Sequence, residues 1–60
     1  MRIMRIREVI ECTGLGSSSI YNFIAEGAFP KPIPLGARAV GWLESEVNDW
    51  INRKIEDRDA

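Results

Sequence analysis

Two apolar stripes of helical period lie between Arg7 and Gly27, in the run Arg-Glu-Val-Ile-Glu-Cys-Thr-Gly-Leu-Gly-Ser-Ser-Ser-Ile-Tyr-Asn-Phe-Ile-Ala-Glu-Gly, and only a few residues separate them. A connection that short forces two short helices to share one core, which Val9, Ile10, Leu15, Ile20 and Ile24 can fill. Gly14 stands where a helix of about residues 6 to 12 needs a residue at positive φ, and Leu15 plugs the turn. Gly16 or Ser17 can cap the next helix, with the Ser17 hydroxyl the better chemical cap. On a helix from about Ser17 to Glu26, Ile20, Phe23 and Ile24 fall on one side and Ser18, Tyr21, Asn22 and Ala25 on the other. This is the pattern of a helix-turn-helix, whose second helix commonly reads the major groove of DNA.

Beyond Gly27 the chain cannot continue as a helix. Pro30-Lys31-Pro32-Ile33-Pro34 has three prolines in five residues, which excludes helix and favours an extended edge segment or a pinned loop. Ile33 and Leu35, then Val40 and Trp42, alternate with other residues on either side of Gly36-Ala37-Arg38-Ala39. The spacing predicts a small β-hairpin with Arg38 at or near its tip. From Leu43 the period becomes helical again: Leu43, Val47, Trp50, Ile51 and Ile55 form a stripe, with the Lys54 stem alongside. Glu44, Glu46, Asp49, Asn52, Arg53 and Glu56 cover the other side. Met4, Ile6, Val9 and Ile10 are expected to be the stripe of the first helix, and Asp57 to Ala60 to fray. The fold class expected is mainly α with a small β-hairpin, a winged helix-turn-helix spanning residues 1–60 as one domain.

Sixty residues bury little apolar surface, so Trp42 and Trp50, with Phe23, Phe29, Leu35, Val40 and Val47, are expected to supply the mini-core. The lone Cys12 cannot form an internal disulfide and is expected to be half-buried and reduced. With no histidine in the chain, a metal site would rest on one thiolate and scattered carboxylates, so neither metal nor cofactor is expected. The absence of histidine also leaves the serines without an activating base, and no enzyme activity is expected. No apolar run approaches the ~20 residues of a membrane span and the N-terminus lacks a signal-like apolar stretch, which points to a cytoplasmic location.

The formal net charge of −1 is small for a DNA ligand, but its distribution is polar. Residues 1–42 carry Arg2, Arg5, Arg7, Lys31 and Arg38 against Glu8, Glu11 and Glu26. Residues 43–60 carry Arg53, Lys54 and Arg58 against six acids. A basic front and an acidic back suit a domain that docks on DNA by one side.

The resemblance to a known family rests on an ordered set of segments: Arg7-Glu8-Val9, Thr13-Gly14-Leu15, Ser19-Ile20-Tyr21, Glu26 to Pro32, Leu35-Gly36, Arg38 to Trp42, and Ser45-Glu46-Val47 with Trp50. The chain resembles the AlpA family of prophage transcriptional regulators, small relatives of the MerR-like and excisionase winged-helix domains. The resemblance implies a DNA-binding protein acting on prophage or mobile-element genes, often through an integrase gene or excision. Where the family often has serine and a basic residue, this chain has Gly16 and Asn22.

The residues themselves nominate contacts. Tyr21 can donate to a phosphate and rest its ring on the sugar edge, or it can bridge to the wing. Asn22 has the amide chemistry that pairs with adenine in the major groove. Ser17 and Ser18 lie in the first helical turn, where hydroxyls and free N–H groups favour a phosphate oxygen, whereas Ser19 points sideways. Arg38 at the hairpin tip can reach the minor groove or backbone, and Lys31 is restrained by its flanking prolines. Arg5 and Arg7 can clamp flanking backbone, although Arg7 could equally pair with Glu11. The expected partner is double-stranded DNA, bound by a homodimer or a cooperative array, with RNA polymerase or an integrase complex as candidate protein contacts. A competing reading makes the neutral second helix a protein-interaction surface, motivated by the acidic balance and by Asn22.

Overall fold

The computed structural model describes residues 1–59, arranged as β1 (Ile3–Met4), α1 (Ile6–Thr13), α2 (Ser17–Ala25), β2 (Ile33–Pro34), β3 (Val40–Leu43) and α3 (Glu44–Asp59). The architecture is mainly α with a small antiparallel hairpin, compatible with a winged helix-turn-helix. Ala60, the last residue of the segment expected to fray, lies outside the described residues; Asp57 to Asp59 instead continue α3.

The sheet has one more strand than the hairpin requires. Its order is β1-β3-β2, with Ile3 opposite Leu43 and Met4 opposite Trp42 on one side of β3, and Ile33 opposite Gly41 and Pro34 opposite Val40 on the other. Met4 therefore belongs to a strand rather than to the helical stripe. Leu43 likewise ends β3 and does not open α3. The physical reason is that β3 offers two hydrogen-bonding edges, and the proline-rich β2 occupies only one of them.

Local chemistry sets the helix ends. Gly14 terminates α1 at φ 75°, its N–H bonding the Ile10 carbonyl at 2.8 Å. At the start of α1, the Glu8 carboxylate accepts from the Arg5 N–H at 3.3 Å, one half of a capping box. Gly16, not Ser17, caps α2, and no side chain takes part. After Ala25, Gly27 at φ 74° closes a Schellman motif in which its N–H bonds Ile24 at 3.0 Å and the Ala28 N–H bonds Phe23 at 2.7 Å.

The core consists of Met4, Val9, Ile20, Phe29, Trp42 and Val47, with Ile10, Leu15, Phe23, Ile24, Trp50 and Ile51 packed around it. Burying each aliphatic side chain fully is worth about 1.5–3 kcal/mol. Three expectations fail here: Leu35 is 45% exposed, Ile55 is 43% exposed, and Cys12 is exposed. Leu35 flanks the hairpin turn on the face of β3 opposite Trp42, beside Gly41, so it does not reach the helices. Ile55 lies in the last turns of α3, where residues 52–59 are all exposed and the helix has run past the core. Cys12 lies at the edge of the buried face of α1, in its last turn, where the side chain is left exposed.

Candidate nucleic-acid interface

The fold turns α2 so that Ile20 is fully buried in the core while Ser17, Ser18, Tyr21 and Asn22 are exposed. Two devices fix this pose. The Thr13 hydroxyl donates to the Val9 carbonyl at 2.8 Å and accepts from the Leu15 N–H at 3.2 Å, so one side chain stitches the turn between the helices. The Schellman motif then sends the chain sharply out of α2 into the connector of residues 28–32. With Gly16 as the cap, the hydroxyls of Ser17 and Ser18 are not spent on capping and remain at the surface.

The tryptophans organise the rest. Trp42, fully buried on β3, donates from Nε1 to the Pro30 carbonyl at 3.0 Å. Tyr21 meets the same indole, its ring centroid 6.3 Å away at an interplanar angle of 62°. Tyr21 is 45% exposed, so it both bridges to the wing strand and faces solvent. Trp50 is half-buried: Phe29 lies edge-on to it at 4.9 Å, its Nε1 donates to the Ala28 carbonyl at 2.6 Å, and the Lys54 ammonium sits 5.3 Å from its ring. Tyr21, the connector next to Lys31, and the wing strand are thus brought together around one indole.

Arg38 is exposed between β2 and β3, beyond the Leu35 N–H to Ala39 carbonyl bond that closes the hairpin at 2.8 Å. Lys31 is exposed between its prolines, and Arg5 and Arg7 are exposed at the start of α1. Among the described residues the ion pairs are Arg2 with Glu8, Arg2 with Glu44 at 2.6 Å, and Arg58 with Asp59 at 2.9 Å. Arg7 therefore makes no pair with Glu11, and Arg5, Arg7, Lys31 and Arg38 carry unpaired charge. Arg2 is the exception at the basic front. Its guanidinium is held above its ordinary pKa, first by the hydrogen bond to Glu44 and then by the charge of Glu8, and it ties β1 to α1 and α3. α2 itself has no basic residue.

Sequence reasoning missed Thr13, the Arg2 tie and the indole bonds to the connector. Thr13 had a signal, a hydroxyl at the last helical residue before a capping glycine. The indole bonds had none, because they close over 12 and 22 residues. No group of three or more metal-ligating side chains forms among the described residues, and no described helix is long and apolar enough to cross a membrane.

Residues 2–55 match the family described as prophage CP4-57 regulatory protein (AlpA). The chain is 42% identical to the protein ORF88 of Enterobacteria phage P4 over 95% of its own length, and spans 65% of that relative. It is 33% identical to the DNA-binding transcriptional activator AlpA of Escherichia coli strain K12, covering 93% of this chain and 89% of that one.

Proposed function

The chain belongs to the AlpA family of prophage regulatory proteins, and from that premise we propose that it is a sequence-specific, double-stranded DNA-binding transcriptional regulator of prophage or mobile-element genes, including control of an integrase or of excision. The observation that carries the reading is the division of α2. Ile20 anchors it in the core while Ser17, Ser18, Tyr21 and Asn22 stand outside, on a helix with no acidic residue before Glu26 to repel phosphate. In this reading α2 enters the major groove, Asn22 meets a base edge, and Tyr21 and the serines meet backbone or base. Arg38 on the wing and Lys31 on the connector hold phosphates or the minor-groove edge, and Arg5 and Arg7 hold flanking backbone.

The four cations nominated for DNA, Arg5, Arg7, Lys31 and Arg38, give one copy a weak, salt-sensitive grip, so binding as a homodimer or cooperative array restores affinity. The acidic outer side of α3 is left for a neighbouring copy, RNA polymerase or an integrase complex. The residues 1–60 act as one domain, in the cytoplasm, without catalysis.

Selection from a random duplex pool tests the proposal. It should enrich one short motif, and Asn22→Ala should blur that motif at one or two base pairs. A pool that stays flat would favour instead a protein-interaction role for the neutral α2.

A further inference from the structure

The connector carries Lys31 between two prolines that have no N–H to donate, so its carbonyls are its main means of attachment. Two of them are taken by indoles that reach over from other elements. Trp50 of α3 bonds the Ala28 carbonyl at 2.6 Å, and Trp42 of β3 bonds the Pro30 carbonyl at 3.0 Å. Phe29 between them is buried against Trp50 at 4.9 Å, so the backbone leading to Lys31 is held at three successive residues. Trp42 also backs the Tyr21 ring at 6.3 Å. Core packing alone would require the rings but not the N–H groups, since phenylalanine or leucine could fill much of the same volume.

We propose that Trp42 and Trp50 are positioning residues for DNA: their indole N–H groups fix the connector so that Lys31 meets phosphate at a set separation from Tyr21 on α2. A connector ordered before binding does not have to be ordered by it, which strengthens the contact without adding one. The inference rests on the DNA-binding reading above and deepens it by naming what aligns its contacts.

The test replaces both tryptophans biosynthetically with benzothienylalanine, which keeps the ring shape and puts sulfur in place of the N–H. Binding to the selected duplex is then followed by fluorescence anisotropy across salt concentrations. The substituted protein should remain cooperatively folded, bind roughly five-fold more weakly, and lose about one unit of salt slope. Lys31→Ala should weaken the natural protein by a similar factor and the substituted protein hardly at all, because the two changes remove one contact. Unchanged affinity and slope on substitution would overturn the inference, as would a Lys31→Ala effect of equal size in both proteins. Should the doubly substituted protein fail to fold, Trp42→Phe and Trp50→Phe carry the same comparison with Lys31→Ala below their melting temperatures. Failure of the natural protein to bind any duplex would instead defeat the DNA-binding reading itself.

Discussion

A methyl group at Gly41 would have its Cβ 2.5 Å from Ile3 Cγ2, 3.0 Å from Leu35 Cδ1 and 3.1 Å from the Met4 carbonyl oxygen. Ile3 is β-branched and Met4 contributes backbone, so neither yields without moving β1. Gly41→Ala should therefore destabilise the protein by about 1–3 kcal/mol, measured by urea denaturation. An unshifted midpoint would show that β1 is not packed against β3 as described. Tyr21 offers a second test at this scale, because its ring and its hydroxyl have separable duties. Tyr21→Phe keeps the edge-on contact with Trp42 and should leave the melting temperature unchanged while weakening DNA binding; Tyr21→Ala should lower both. If Phe binds DNA as well as Tyr does, the hydroxyl makes no phosphate contact.

The helices were legible at the level of elements because their signals are local. Gly14 adopts the left-handed backbone that its position after the first stripe demanded, at φ 75°, and Gly27, where the second stripe was expected to end, adopts it too, at φ 74°. Nothing lies within 4 Å of a Cβ built at either, so the cost of substitution is conformational, not steric. Gly14→Ala and Gly27→Ala should each destabilise by about 1–2 kcal/mol in thermal or urea melts, and a neutral result at Gly27 would speak against the Schellman turn that launches the connector. The hairpin was legible as well, and Arg38, expected at or near its tip, is exposed in the turn between β2 and β3. What escaped was long-range. Ile3-Met4 is too short to carry a period, and its apolar residues merge with the stripe of α1, so only pairing with Leu43 and Trp42 reveals a strand. The one inward apolar side expected of the hairpin does not form: Ile33 pairs with Gly41 and Pro34 with Val40, so Ile33 and Leu35 lie on the face opposite Val40 and Trp42, and Leu35 is exposed. Of the candidate contacts, exposure was legible for every one from helical phase, charge or turn position. The gathering of Tyr21 and the connector around Trp42 depends on tertiary packing and was not.

At the scale of the whole molecule, the cations expected at the basic front are not all free, and Glu46, Asp49 and Asp57 of α3 line one cleft with residues 27–30, where the connector begins. Among the described residues Arg2 is bound to Glu8 and Glu44, which leaves Arg5, Arg7, Lys31 and Arg38 as the unpaired basic side chains of the N-terminal two thirds. The body extends 41 × 25 × 19 Å, and the exposed end of α3, residues 52–59, balances Arg53, Lys54 and Arg58 against Glu56, Asp57 and Asp59. In the proposed reading, specificity and grip belong to different parts: the neutral α2 would discriminate, and the wing, the connector and the start of α1 would hold. The measurement that tests this division most directly is an anisotropy titration against the duplex upstream of the protein's own gene and a scrambled duplex, across salt concentrations, for the natural protein, Asn22→Ala and Arg38→Ala. The natural protein should prefer the upstream duplex, Asn22→Ala should lose part of that preference, and Arg38→Ala should keep the preference while lowering the salt slope on both duplexes by about one. Equal affinity of the natural protein for both duplexes, or a salt slope that Arg38→Ala leaves untouched, would contradict it.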